Sequence, residues 1–209
     1  MLRKNVDEIF DRLSKQRPSP KIELEYKNNF TLFVAVVLSA QSTDKGVNKV
    51  TPALFQIADD PYKMLMLGEG GLKDHIKSIG LYNSKAKNII NACQIMVDEY
   101  NSQLPDNFED LRKLPGVGRK SANVLLNSLF NEPTIAVDTH VFRVSNRLGL
   151  CKTKTPDATE FALNKKILVR WKKYAHHWLV LHGRYICKAR KPICGECVIY
   201  DLCKFKDKN

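Results

Sequence analysis

Four of the six cysteines crowd into seventeen residues near the C-terminal end, as Cys187, Cys194, Cys197 and Cys203, with the spacing Cys-x6-Cys-x2-Cys-x5-Cys. No other feature restricts the fold of this chain so tightly. Thiols this close in sequence can wrap one centre, and the loop joining them must then close around it. Disulfides are not expected in a reducing cytosol, so the cluster reads as a metal site. Structural zinc is usually held by two separate Cys-x2-Cys knuckles, and only Cys194 and Cys197 form one here. The spacing therefore favours a 4Fe–4S cluster, with zinc as the alternative. Cys93 and Cys151 stand apart and read as small buried hydrophobes.

Upstream of that loop the apolar periodicity is helical. Phe30, Phe33, Val34, Val37, Leu38 and Gln41 follow helical spacing with further apolar residues between them, which predicts a helix buried nearly all round. Gly68 to Gly71 predicts a break, followed by a short helix through Asp74 and Ile76. Gly80 is expected to cap that helix, and Asn83 or Ser84 to open the next, which carries Ile89, Ile90, Cys93, Val97 and Tyr100. No run of alternating residues predicts a strand, and there is no repeat or low-complexity segment. The fold class expected is all-α.

The formal net charge of +12 points to an anionic partner, most commonly nucleic acid. Between Phe161 and Gly195 there is no acidic residue, but nine basic ones: Lys165, Lys166, Arg170, Lys172, Lys173, Arg184, Lys188, Arg190 and Lys191. Such a run is often only a solvated face. Running into a metal-tied loop, it reads as a phosphate-binding one, with Arg184, Lys188, Arg190 and Lys191 as candidate contacts. A loop held in that way makes the cluster structural rather than redox-active. The longest apolar run, Leu32 to Leu38, is too short to span a membrane. The first eight residues carry no apolar core or cleavage site, so no signal peptide is expected and the chain should stay in the cytoplasm with the cell's DNA.

Asp106 and Glu109 fit a capping box opening a helix through Phe108 and Leu111. Next come Leu114-Pro115-Gly116-Val117-Gly118-Arg119-Lys120 and a second amphipathic helix with Ala122, Leu125, Leu126 and Leu129 on its apolar side. Gly116 and Gly118 permit a sharp turn that points backbone amides outward, an anion site suited to a DNA phosphate. Leu-Pro-Gly-Val-Gly between two such helices is the hairpin of the helix-hairpin-helix DNA-binding motif. Lys120, in the first turn of the second helix, could be one more phosphate-binding lysine or a nucleophilic amine. A free lysine, with a pKa of about 10.4, must lose its proton to attack. The positive end of the helix dipole, neighbouring cations and partial burial all favour the neutral form. Asp138, in Ala136-Val137-Asp138-Thr139-His140-Val141, reads first as a helix N-cap. Its carboxylate could also steady positive charge on a sugar ring and move protons to and from the amine.

Together the hairpin with Lys120, the Val-Asp-Thr-His segment and the four-cysteine loop resemble the endonuclease III family of helix-hairpin-helix DNA glycosylases and AP lyases. The resemblance runs from Leu38-Ser39-Ala40-Gln41-Ser42-Thr43-Asp44 to Cys203. It takes in Ile79-Gly80-Leu81-Tyr82-Asn83-Ser84-Lys85 and His177-Trp178-Leu179-Val180-Leu181-His182-Gly183-Arg184-Tyr185. It implies two all-α domains with the DNA cleft between them: a six-helix barrel over 22–132, and a discontinuous cluster domain of 1–21 plus 133–209. It also implies a monomer that excises oxidised pyrimidines from duplex DNA, with Lys120 as nucleophile, Asp138 as the essential carboxylate, and one 4Fe–4S cluster on Cys187, Cys194, Cys197 and Cys203. Gln41 and Leu81 match the family's residues that fill the gap left by a flipped nucleotide, and Gly116, Gly118 and Arg119 match its hairpin contacts. Ser42 and Ser121 stand where alanine and threonine are common. Two alternatives stay open. A mismatch adenine glycosylase would lack the lysine and usually carries a further domain, and a non-enzymatic DNA-binding protein could combine the hairpin with a zinc knob.

Overall fold

The computed structural model describes residues 1–208 and, among them, ten α-helices and no strand. It divides into two compact units: Glu23–Phe130, and Met1–Ile22 together with the chain from Asn131 onwards.

The first unit is built around α2 (Asn29–Ser39), whose residues Phe30 to Leu38 are all buried. Asn28 opens it with a capping box to Thr31, so the start of this largely apolar helix is satisfied by side chains. Packed on α2 are α3 (Asp44–Ile57), α5 (Tyr82–Glu99) and α7 (Arg119–Phe130), while α4 (Pro61–Ile76) pairs with α5. α4 is interrupted at Gly68, where φ is 70°, which is the break expected from its glycines. Two expected caps lie elsewhere. α4 ends at Ile76 with Lys77 as its C-cap, so Gly80 caps nothing. Neither Asn83 nor Ser84 opens α5: Leu81 does, with φ 59° and no side-chain cap. The preference of Asn and Ser for capping is overridden there by a tertiary constraint on the turn before the helix.

α6 (Phe108–Lys113) and α7 form the two arms of the hairpin. The cap of α6 is Asn107, which accepts from the Asp110 amide at 2.9 Å, and not Asp106 as the capping-box spacing suggests. Asn107 and Asp110 are three residues apart just as Asp106 and Glu109 are, so spacing alone does not distinguish them.

In the second unit α1 (Arg3–Gln16) packs on α10 (Val169–Tyr185), and α10 packs on α8 (Thr139–Leu148), which also meets α9 (Pro156–Lys166). Val6, Ile9, Phe10 and Leu13 recur at helical spacing along α1 and bury against Val141, Val144, Leu163, Trp178 and Leu179. Phe10 lies 6.2 Å from the Trp178 ring, and the Trp178 indole donates to the Arg17 carbonyl at 2.8 Å. The N-terminal helix is thus held by residues some 160 positions later. Among the described residues, no helix is long and apolar enough to cross a membrane.

Candidate active site and metal centre

The hairpin turn is dictated by its residue types. The Val117 amide donates to the Leu114 carbonyl at 3.0 Å, closing a four-residue turn with Pro115 and Gly116 at its centre. Proline presets the first central position, and Gly116 takes the positive φ of 87° that the second requires. A Cβ on Gly116 would also press on Val37 at 3.1 Å and Asn88 at 3.3 Å, so this residue must be glycine twice over. Gly118 is different: it has no positive φ, and a Cβ there would meet nothing within 4 Å. The expectation that both glycines are needed for the turn holds only for Gly116. The Gly118 carbonyl accepts the Ala122 amide at 3.0 Å, the first helical bond of α7, so the amides that follow Gly118 have no intrahelical acceptor. Lys120 is the second residue of α7 and is exposed, so the partial burial expected for it is absent, and the exposed Arg119 stacks over the Phe108 ring at 5.2 Å.

Gln41 and Leu81 are both exposed and both in the left-handed region, with φ of 53° and 59°. Neither conformation is comfortable for a residue with a Cβ. Gln41 lies two residues beyond the end of α2, in a turn rather than on the helix itself.

In the second unit Asp138 is the N-cap of α8 and accepts from the Val141 amide at 2.8 Å. It is half-buried, and it faces His140, whose pKa burial lowers while the Asp138 charge pulls it back up. Arg143 donates to the carbonyls of Gly183 at 2.9 Å and Cys187 at 3.1 Å, linking α8 to the end of α10.

Cys187, Cys194, Cys197 and Cys203 line a single recess of about 350 Å³, counting its mouth, with walls of Leu148, Ile186, Pro192 and Ile193. Burial raises the pKa of the Cys197 and Cys203 thiols, with Cys187 and Cys194 adding to both and Cys203 adding to that of Cys197. Two side chains reach the sulfurs: Arg147 Nη1 donates to Cys187 Sγ at 3.6 Å, and His182 Nε2 lies 3.7 Å from Cys197 Sγ. Arg147 also grips the carbonyls of Lys188 and Ala189, each at 2.7 Å, and stacks on Phe205 at 4.4 Å. Among the described residues no three His, Cys, Asp or Glu side chains are grouped closely enough to hold a metal ion as they stand, but four cysteines lining one apolar recess, with Arg147 beside Cys187, are the residue types an iron–sulfur cluster needs.

The basic run divides in two. Lys188, Arg190 and Lys191 are exposed on the cysteine loop and Arg184 is partly buried. Others of the nine serve the unit itself: Arg170 pairs with Asp7, and Lys166 caps the Leu150 carbonyl at 2.6 Å. Sequence reasoning missed Arg143 and Arg147; only Arg147, in the last turn of α8, carried a local signal, and mid-helix Arg143 carried none. It also missed Lys85, a buried lysine on an otherwise ordinary helix.

Residues 34–168 match the family described as HhH-GPD superfamily base excision DNA repair protein, and residues 187–203 match the iron-sulfur binding domain of endonuclease III. Endonuclease III of Rickettsia conorii is 59% identical over 200 residues, which is 96% of this chain and 95% of that one. The chain belongs to the endonuclease III family. Two solved structures agree. An endonuclease III trapped as a covalent intermediate with DNA superposes with a TM-score of 0.91 at 42% identity, covering 98% of this chain and 96% of that one. A non-covalent endonuclease III–DNA complex does so with a TM-score of 0.92, at the same identity and coverage. As a member of this family the protein is a base-excision repair enzyme, a DNA glycosylase and AP lyase, and it carries one 4Fe–4S cluster. The adenine-glycosylase and zinc-knob alternatives fall with that membership.

Proposed function

We propose that this enzyme removes oxidised pyrimidines from duplex DNA and cuts the strand 3′ to the lesion, with Lys120 as nucleophile and Asp138 as the assisting carboxylate. One observation carries the reading. Lys120 stands exposed in the first turn of α7, directly after a glycine turn built to expose amides, in a chain 42% identical to an endonuclease III trapped covalently on DNA. The amides can hold a phosphate, which leaves the amine for chemistry.

The target base must leave the duplex before an amine can reach its sugar. Gln41 and Leu81 fill the space it vacates, as rigidly held side chains that wedge into a stack do. The lone pair of Lys120 Nζ then attacks C1′. A C–N bond forms to lysine, the glycosidic C–N bond breaks, and its electron pair leaves with the base, which takes up a proton. Loss of the nitrogen's proton and opening of the C1′–O4′ bond produce the Schiff base. Removal of a C2′ proton expels the 3′ oxygen with its phosphate, and water releases the unsaturated aldehyde and restores Lys120. Asp138 steadies the positive charge that develops on the sugar and passes protons along this path.

Cys187, Cys194, Cys197 and Cys203 are the residues that would hold the cluster, which when bound supplies iron–sulfur bonds tying the loop into one body. Lys188, Arg190 and Lys191 on that loop, with Arg184, Arg119 and the hairpin glycines, would grip the backbone, and the enzyme would act as a nucleoid-associated monomer. Borohydride trapping on duplex DNA with an abasic site tests the chemistry. Wild type gives a covalent adduct and Lys120→Ala gives none; equal adduct yields would remove Lys120 from the mechanism.

A further inference from the structure

The two turns that carry Gln41 and Leu81 are joined by one buried cation. Lys85, one helical turn after Leu81 on α5, is only 4% exposed. Its Nζ donates to the Leu38 carbonyl at 2.8 Å and to the Ser42 hydroxyl at 2.9 Å. Leu38 is in the last turn of α2, where carbonyls run out of intrahelical donors and the dipole is negative. Ser42 is the residue after Gln41, so the ammonium brackets the Gln41 turn on both sides. The two turns also lie side by side: a Cβ on Gly80 would come within 3.8 Å of the Gln41 carbonyl oxygen.

This arrangement is costly. Burial lowers the pKa of Lys85 below its ordinary value, because both acceptors are neutral oxygens. Gln41 and Leu81 each hold a left-handed backbone that costs of the order of 1–3 kcal/mol and lasts only where the surroundings over-determine it. Stability alone would be better served by an apolar residue at 85 and relaxed turns. Two strained, exposed residues fastened together by a buried charge are what a rigid plug requires.

We propose that Lys85 is a positioning residue for nucleotide extrusion: its ammonium locks the Gln41 turn to the start of α5, so that Gln41 and Leu81 enter the duplex as one two-pronged plug. The inference rests on the gap-filling role given to Gln41 and Leu81 above. Lys85 touches no reacting atom, so its loss slows the opening of a paired duplex and spares the chemistry that follows.

The test compares two substrates under single-turnover conditions: an oxidised pyrimidine in fully paired duplex, and an abasic site in an unpaired loop, where nothing needs extrusion. Lys85→Met keeps the apolar stem and removes the cation. It should release the base from paired duplex at least about tenfold more slowly than wild type, a penalty typical of small misplacement. Borohydride trapping on the looped abasic site should match wild type, and Lys85→Arg should recover part of the loss. Combined with Gln41→Ala and Leu81→Ala, Lys85→Met should add little further slowing, because it acts only through those residues. Equal rates for Lys85→Met and wild type on paired duplex overturn the proposal, as does equal slowing on both substrates. If Lys85→Met does not fold, Ser42→Ala takes its place, and a wild-type rate on paired duplex for that variant overturns it. Should Gln41→Ala with Leu81→Ala leave the paired rate unchanged, the plug reading itself fails, and that result is separate from any result at Lys85.

Discussion

The hairpin and the cysteine loop are both short connections with exposed basic residues, yet they are held in place by different means. The hairpin closes through its own backbone: one Leu114–Val117 bond, a proline, and a glycine at φ 87°. The cysteine loop has backbone turns of its own, the 3-10 turn Cys194–Glu196 and bonds from the Tyr200 and Cys203 amides to the Cys197 and Tyr200 carbonyls at 3.0 and 3.2 Å, but, among the described residues, no helix longer than three residues. It is fixed from outside, by Arg143 and Arg147 from α8, and by Arg12 from α1, which reaches the Val198 carbonyl and the Asp201 carboxylate. The first arrangement is local and self-sufficient. The second also draws on side chains from distant helices.

Removing the metal should therefore separate the two regions most sharply. Stripping iron by oxidation and chelation should raise amide exchange through 187–203 by orders of magnitude and weaken DNA binding, while the helices of Glu23–Phe130 keep their protection. Metal bonding in small sites contributes folding free energy directly. Equal loss of protection in both units would break the contrast.

Next in size is Phe10→Ala. Phe10 is fully buried in the core that fastens α1, so truncation should cost about 3–5 kcal/mol in chemical denaturation. The loss should appear in the second unit, together with loosening of the cysteine loop through Arg12. Uniform loss across both units would mean that they unfold as one.

The pH response should also be confined to the second unit. Burial, aided by the adjacent His176, pushes the pKa of His177 down to about 4 from an ordinary 6.5. The neutral ring is the folded form, so the unfolded chain binds the extra proton between those values. This stability is present in full above pH 6.5 and lost as pH falls towards 4. At about 1.4 kcal/mol per pKa unit it amounts to roughly 3 kcal/mol. Thermal melts of His177→Asn and wild type from pH 7 to 4.5 should converge as the pH drops; parallel curves would refute the assignment.

The smallest effects compare the two hairpin glycines. Gly116→Ala places a Cβ at positive φ against Val37 and should cost about 1–2 kcal/mol and weaken DNA binding. Gly118→Ala, in open space, should change stability by no more than about 0.5 kcal/mol. Similar losses at both positions would mean that the turn is constrained on both sides of Val117.

Much of this was legible without coordinates because it depends on near neighbours. The all-helical class follows from 3.6-residue periodicity, the hairpin from Pro-Gly chemistry, and the Asp138 cap from a carboxylate placed before an apolar helix. The separation of cysteines into two solitary buried thiols and four that share a recess also follows from spacing, and Cys93, whose thiol burial pushes up to about 12, is an inert member of the core. The errors fell where several local solutions were equally good. Asp106 and Asn107 are equivalent caps on paper, and Asn83 or Ser84 would open α5 in isolation.

What the amino-acid sequence determined by itself, then, is the helical class, the turn that precedes Lys120, and the grouping of four cysteines at one recess, because each is specified by residues close to one another in the chain. Only the tertiary structure decided which basic residues remain for DNA, with Arg170 taken by Asp7 and Lys166 by the Leu150 carbonyl. It alone placed Lys85 under the Gln41 turn, 47 residues from Leu38. Such pairings arise when packing brings a carbonyl without a helical partner to a cation from another helix, and no local pattern encodes that encounter.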